Sequence, residues 1–371
     1  MTPLDELATL LRPAGGGVYV VSTGRAEQLA MQRRLYGAAT EAEVSARFRE
    51  NLARVAGAKV VLLGVPSDVG AGYVRGANLA PQAIRAALLD EQPSFPEDAR
   101  ARGIVDLGDV FVVPQLLHDD MLTPAQREAS ARALYPEVDL PARGALPVSP
   151  LSIAERALDL VFALNPRVKP VVLGGDHSCA WPVAAALSRV QKEPWGIVQI
   201  DAHTDLLEER LGIRYCFATW SFHANDLVGR NGKLVQVGIR ATRHERGHWE
   251  NTLGVRQFWA DECLRDPAKA LDAIVAHVKR TGVRGVYFSN DIDGTDERFA
   301  DATGTPEPNG LEPDFVVELV RRLGREVGLL GGDVMEVAPP VQRTPDGAKR
   351  TVALAVRYLR ETFDALEATR G

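Results

Sequence analysis

The sequence predicts a three-layer α/β/α fold built on a mostly parallel central sheet. Two observations carry this. Short runs rich in Val, Ile and Leu recur without polar alternation, the mark of strands buried on both faces. Helical patterns separate the runs, and strands alternating with helices build a parallel sheet. A TIM barrel has the same alternation, but a long N-terminal extension and uneven spacing favour an open sheet. In either architecture ligands bind at the carboxyl ends of the strands.

Residues 1 to 57 read as an N-terminal extension with a helix. The helix is expected in "ATEAEVSARFRENLARVAG" (39 to 57). Thr40 and Glu43 form a capping-box pattern, and Val44, Phe48, Leu52 and Val55 share one face. Gly57 can end it. Residues 58 to 371 read as one catalytic domain. Its strands are expected in "KVVLLGV" (59 to 65), "RGIVDLGDV" (102 to 110), "KPVVLGG" (169 to 175), "GIVQIDAH" (196 to 203), "KLVQVGIR" (233 to 240), "GVYFSNDID" (285 to 293) and "GLLGGDVMEV" (328 to 337). The stretch from about 111 to 150 breaks the rhythm with Pro114, Pro124, Pro136, Pro141, Pro147 and Pro150. It reads as a long loop with one short helix near "TPAQREASARAL", and its length points to function or an interface. His118, Asp119 and Asp120 in this loop are expected on a solvated face.

Charge and composition exclude several classes. The 371 residues carry 43 Lys and Arg against 49 Asp and Glu, a net charge of −6. That forces no broad basic surface, so nucleic acid is not expected as a partner. Cys179, Cys216 and Cys263 lie far apart and read as reduced thiols. The N-terminus "MTPLDELATLLRPAGGG" has early acids and no long apolar run. No stretch approaches the ~20 apolar residues that span a bilayer. A cytoplasmic protein without membrane contact is expected.

The chemistry is concentrated where the apolar runs end. In "IVQIDAHTDLL" (197 to 207), Asp201, His203 and Asp205 stand at i, i+2 and i+4. In extended chain all three point to one side. Carboxylate and imidazole are ligands for Mn, Fe, Co, Ni or Zn. Alone, the triplet fits equally a loop whose Asp residues cap a helix. Three other strand ends change the balance. "VVLGGDHS" ends in Asp176 and His177, "YFSNDIDGTD" in Asp291 and Asp293, and "LLGGDVMEVAPP" in Asp333 and Glu336. A parallel sheet brings all four ends to one edge. So many carboxylates would repel and resist desolvation unless cations sat among them. Two divalent cations remove that cost and acidify a water.

"GGDHS", "DAHTD" and "SNDIDGTD" resemble, in order and spacing, the three signatures of the ureohydrolase family of arginases, agmatinases and formiminoglutamases. "ADATGTPEPNGL", "DVMEVAPP" and "GVPSDVGAGYVRGANLAPQAIR" are similar to further segments of that family, and the resemblance spans roughly residues 58 to 365. It implies an arginase-like fold and two divalent ions per chain, usually Mn2+, with Ni2+ or Co2+ as alternatives. By resemblance His177, Asp201, Asp205 and Asp291 match the ligands of one ion. Asp201, His203, Asp291 and Asp293 match those of the other, with Asp201 and Asp291 bridging. Asp205 also matches a catalytic acid, Glu336 the acid that pairs with the guanidinium, and His223 in "WSFHAND" a proton-shuttling His. Homo-oligomers, trimers or hexamers, are implied too.

The residues agree on roles. A guanidinium is planar, cationic and weakly electrophilic, so it needs a strong nucleophile, an orienting carboxylate and an acid for the leaving amine. Leu206 and Leu207 stand where arginases have an Asn that helps to hold the amino acid end, which disfavours arginine as substrate. Glu208, Glu209, Arg210 and Arg214 can meet a terminal charge of either sign, which leaves agmatine and guanidino acids both open. His244 and His248 are expected on the surface. The reading is a metal-dependent amidinohydrolase releasing urea from a small guanidino compound. A formiminoglutamase releasing formamide and an arginase are the alternatives on the same centre. A metal-binding protein without turnover is disfavoured by Glu336 beside a complete ligand set.

Overall fold

Val60–Gly64, Gly196–Ile200, Leu234–Ile239 and Val286–Asn290 are buried at every residue. Strands with no exposed face demand helices on both sides. A computed structural model describes residues 1–20 and 22–369. Among these, nine strands form one sheet. They are β1 (Leu11–Arg12), β2 (Val60–Gly64), β3 (Ile104–Val110), β4 (Lys169–Leu173), β5 (Gly196–Ile200), β6 (Leu234–Ile239), β7 (Arg256–Trp259), β8 (Val286–Asn290) and β9 (Leu329–Val334). Their order is β1-β3-β2-β4-β9-β8-β5-β6-β7. Only β1 runs antiparallel to its neighbour. The sheet is open, ending at β1 and β7, so the barrel alternative falls. All seven expected strands form, while β1 and β7 are additions.

One helical layer packs Pro150–Leu164 on Trp181–Val190 and that on Trp220–Val228. The other runs Ala80–Glu91, Gly347–Ala368, Pro313–Glu326, Pro267–Arg280. β4 and β5 follow each other in the chain, yet β9 and β8 lie between them in the sheet. Connections diverge around this central quartet, and such a switch opens a crevice at the carboxyl ends. No described helix is long and apolar enough to cross a membrane.

The first 57 residues pack onto the sheet. Helix Pro3–Leu10 buries Leu7 and Leu10, and β1 pairs with β3 through Leu11 and Val110. The expected helix forms at Glu41–Ala53 with the Thr40 and Glu43 capping box, and Val44, Phe48 and Leu52 are buried. Val55–Gly57 adds a 3₁₀ turn.

The 111 to 150 stretch holds a helix at Pro124–Leu134, capped by Thr123 and Gln126. The solvated face expected for His118, Asp119 and Asp120 needs correction. His118 is buried, its ring 4.7 Å from that of Tyr215. Asp119 Oδ1 accepts the Ser149 amide at 2.8 Å, tying the loop's two ends together. Only Asp120 is exposed.

The extension is pinned by a buried cation. Arg85 is 1% exposed and bonds Asp106 Oδ2 at 2.8 Å and Asp109 Oδ1 at 2.5 Å. Asp109 Oδ2 in turn accepts the Gly15 amide at 2.6 Å. Arg85→Met should therefore strand two carboxylates in the interior and cost about 3–5 kcal/mol of stability. Urea denaturation measures this, and a loss under about 1 kcal/mol would show that the pair does not anchor the extension.

Candidate metal centre and active site

Backbone geometry at the strand ends sets the site. After β4 the chain passes through Gly174 and Gly175. A side chain at Gly174 would strike Met335 Sδ at 1.8 Å, and one at Gly175 the Ser67 carbonyl oxygen at 1.7 Å. The glycines let the chain run hard against its neighbours and deliver Asp176 and His177. Asp201, His203 and Asp205 follow β5, Asp291 and Asp293 follow β8, and Glu336 follows β9. These are the four central strands, so the predicted residues converge from one crevice.

The ligand atoms gather around two points that share Asp201. His177 Nδ1 lies 3.1 Å from Asp201 Oδ2, 3.3 Å from Asp205 Oδ2 and 3.0 Å from Asp291 Oδ2. It is aligned with none of them as a hydrogen bond and stands without a partner. Its other nitrogen, Nε2, sits 2.9 Å from Ser289 Oγ. A proton on Nε2 leaves the Nδ1 lone pair facing the carboxylates. The second point lies between His203 Nδ1, Asp293 Oδ2 at 3.1 Å from it and Asp201 Oδ1 at 3.6 Å. The two oxygens of Asp201 thus face different groups. Asp291 Oδ2 faces the first group, and its Oδ1 accepts the Asp293 amide at 2.9 Å.

Electrostatics calls for added positive charge. Burial, then the Asp201 charge, pushes the Asp205 carboxyl up to about 7. Burial, with Asp293 and Asp201 beside it, holds Asp291 well above the usual carboxylate range. Burial would lower His203, but Asp293 and Asp201 push it up to about 12. The bare Nδ1 amid three carboxylate oxygens is what a divalent cation fits, and the donor set of carboxylates and two imidazoles suits one.

Glu336 lies at the edge of this centre, 8% exposed. Its Oε1 accepts the His177 amide at 2.8 Å. Burial, with Asp176 nearby, raises its pKa well above the ordinary value. Glu336 and Asp205 have φ of 61° and 52°. That left-handed geometry is tolerated by Asp but costly for Glu, and outliers of this kind gather at functional sites.

Other predicted residues are placed differently. Asp333 lies inside β9, not beyond it, accepting the Tyr287 hydroxyl and the Asn290 amide. Leu206 is packed into the hydrophobic core, 3% exposed, while Leu207 is 45% exposed. His223 sits on Trp220–Val228 with its Nε2 2.9 Å from the Glu208 carbonyl and its ring packed on Tyr215 and Trp181. Burial depresses its pKa. His244 and His248 are exposed.

Two groups escaped the sequence reading. Trp220 Nε1 donates to Asp205 Oδ2 at 3.0 Å, and its ring lies 4.6 Å from that of His177. Gln199, Gln236 and Gln257 occupy paired positions on β5, β6 and β7. Gln257 Nε2 donates to Gln236 Oε1, Gln236 Nε2 to Gln199 Oε1, each at 2.8 Å, and Gln199 Nε2 to Asp201 Oδ2 at 2.6 Å. The signal was present as one Gln inside each of "GIVQI", "LVQVGI" and "RQFW".

The chain is similar to known proteins. A model of the arginase family matches residues 58–364. The guanidinobutyrase of Pseudomonas aeruginosa is 29% identical over 293 residues, covering 76% of this chain and 79% of that protein. The agmatinase of Chromobacterium violaceum is 30% identical over 317 residues, covering 82% and 85%. The proclavaminate amidino hydrolase of Streptomyces clavuligerus has a structure matching at TM-score 0.65 and 28% identity, covering 84% of this chain and 93% of that one.

The charge cluster predicts how the metal-free protein responds to pH. Asp205 and Asp176, raised to about 7 and about 6, titrate near 3.9 when unfolded. A raised acid contributes stability that is complete below its unfolded pKa and lost as pH climbs through the folded one. The raised His203 acts in the same direction above about pH 6.5. The melting temperature of chelated protein should fall by several degrees between about pH 5 and pH 7.5, and saturating Mn2+ should remove the fall. A profile identical with and without the ion would sink the shared-cation reading.

Proposed function

The chain belongs to the arginase family, hydrolases of guanidino compounds, and from that premise we propose that it cleaves the C–N bond of a small guanidino acid or amine and releases urea. The observation that carries this is the division of the two Asp201 oxygens between two groups of ligand atoms, with Glu336 alongside. His177, Asp205 and Asp291 would hold one ion and His203 and Asp293 the other, with Asp201 between them. Mn2+ suits so oxygen-rich a set, with Ni2+ and Co2+ as competitors. Bound there, the pair supplies Lewis-acid activation of water at neutral pH.

The side chains do the rest. Glu336 is held at Oε1 by the His177 amide, which leaves Oε2 to accept an N–H of a planar guanidinium. The substrate's charge restores Glu336 to its ionised form in a buried setting, where the pairing is strong. Trp220 fixes Asp205 at Oδ2 and leaves Oδ1 free to take a proton and pass it to the leaving amine. His223, held neutral on the Glu208 carbonyl, enters proton exchange only after releasing that bond.

Two variants separate holding metal from holding substrate. Asp291→Asn should lose metal content and all turnover, because an amide leaves the cations under-neutralised. Glu336→Gln should keep about two ions per chain by elemental analysis while kcat/KM on guanidino substrates falls by about 10²-fold, the loss of a charge-assisted pair. Loss of metal in Glu336→Gln would make that residue a ligand. A product assay across agmatine, guanidinobutyrate, arginine and formiminoglutamate should find urea, and formamide alone would move the chain to the formimino substrates.

A further inference from the structure

We propose that a groove beside the metal centre is the seat of the substrate's far end, and that it takes an apolar body bearing an anionic group that meets Arg210. This rests on the guanidino-hydrolase reading and narrows it to guanidino acids bulkier than a straight four-carbon chain.

The groove has a volume of ≈ 720 Å³. Three distant segments line it, represented by Gly70 and Tyr73 after β2, Leu117 and Met121 from the 111 to 150 stretch, and Leu211 and Phe217 after β5. It lies beside the residues that flank His177. A Cβ on Gly70 would lie 2.5 Å from Ser178 Oγ and 2.9 Å from Asp176 Oδ1, so only bare backbone separates the groove from the residues flanking His177. Cys216, also on the wall, feels the charges of Asp176 and Asp205. A molecule with its guanidinium at Glu336 therefore has this groove as a neighbouring space for its remainder.

The lining is apolar apart from a few amides, and Arg210 is the one charged residue in it. The Arg210 guanidinium lies 4.7 Å from the centroid of the Phe217 ring and enters no ion pair among the described residues. Glu208 and Glu209 precede it but do not line the groove. An ammonium tail would meet only a like charge there, whereas a carboxylate would find a partner that Phe217 already positions. Size adds to charge. Pockets of roughly 300–1,000 Å³ hold ligands of drug-like size, so a simple alkyl chain would leave most of this one to water.

The rim supports a ligand-contacting role. Arg210 and Ile213 exchange backbone hydrogen bonds at 3.0 and 2.9 Å around a two-residue turn. Both central residues are left-handed, Leu211 at φ 53° and Gly212 at 78°. Asn or Gly usually fills the first such position. A Leu there is strained, and this one is also 95% exposed, as Tyr73 opposite is 97% exposed. Strain and apolar exposure at one residue mark a surface shaped for contact rather than for folding.

The test uses Mn2+-loaded full-length protein, wild type against Arg210→Gln and Leu211→Gly. The probes are agmatine, guanidinobutyrate of matched length and 4-(guanidinomethyl)benzoate. Wild type should prefer the benzoate, then guanidinobutyrate, then agmatine. Arg210→Gln should cut the acid-to-amine ratio of kcat/KM by about two- to fivefold, chiefly through KM, the worth of one exposed ion pair. Leu211→Gly, which relieves the left-handed strain and so should not unfold the chain, should raise KM for the benzoate. Separately, 4-phenylbutyrate should bind metal-free wild-type protein by calorimetry and bind Arg210→Gln several-fold more weakly. An unchanged acid-to-amine ratio, or agmatine as best substrate without phenylbutyrate binding, would overturn the proposal. If no guanidino probe yields urea, the hydrolase reading fails by itself, and the phenylbutyrate measurement still decides the groove.

Discussion

Buried like charges at one edge of a parallel sheet are the constraint on which the rest of this structure depends. Asp201, Asp205, Asp291 and Asp293 are each 6% exposed or less, and they come from two strands separated by none. Carboxylates so close and so dry ionise together only among cations. The fold answers part of this with its own groups. Gln199 donates to Asp201, Trp220 to Asp205, Thr305 to Asp293, and backbone amides to Asp201 and Asp291. At Asp205 and Asp291 one oxygen is fixed and the other is left without such a bond, while both oxygens of Asp201 and of Asp293 are held. The glutamine ladder extends the support across β6 to β7, so a carboxylate at the centre is oriented by a strand at the sheet's edge.

The same sheet solves the same difficulty a second way. Asp106 and Asp109 on β3 are also sunk in the interior, and Arg85 lies between them. There the chain supplies the cation, every donor has an acceptor, and the result is an anchor. At the central strand ends no described Arg or Lys pairs with the carboxylates, and Arg240 beside them spends its guanidinium on backbone carbonyls, that of Asp293 among them. His177 instead presents an unpartnered nitrogen to three carboxylates. The contrast separates a structural cluster from one built to receive something.

Much of this was legible in the sequence, and the failures have physical reasons. The seven apolar runs became strands because burial on both faces leaves no polar alternation to misread. The i, i+2 spacing after β5 brings His203 Nδ1 to 3.6 Å from Asp201 Oδ1 although the chain has already bent there. β7 escaped because "RQFW" has too little apolar content, and β1 because two residues carry no period. Leu206 was misplaced for a local reason. Asp205 turns left-handed at φ 52°, which breaks the alternation and swings the next side chain into the core. The groove was beyond reading, since its walls come from three segments that only the folded chain brings together.

Left-handed backbone outside glycine is uncommon in this chain, and where it occurs it is informative. Among the described residues only Asp205, Leu211, Arg230, Asn309 and Glu336 adopt it. Asn tolerates that geometry, and Arg230 ends the turn after a helix. The other three are the proposed proton carrier, the proposed guanidinium partner and a residue on the rim of the groove. Asp visits this geometry nearly as readily as Asn, but Glu336 and Leu211 are not residues that local propensity would place there, so the surrounding packing must hold those two against their preference. Replacing them with Gly would ease the backbone and remove the group the backbone was bent to aim. Local rules and global structure therefore disagree at Glu336 and at Leu211, two residues to which the proposed function gives work, which is where a fold under functional constraint is expected to break them.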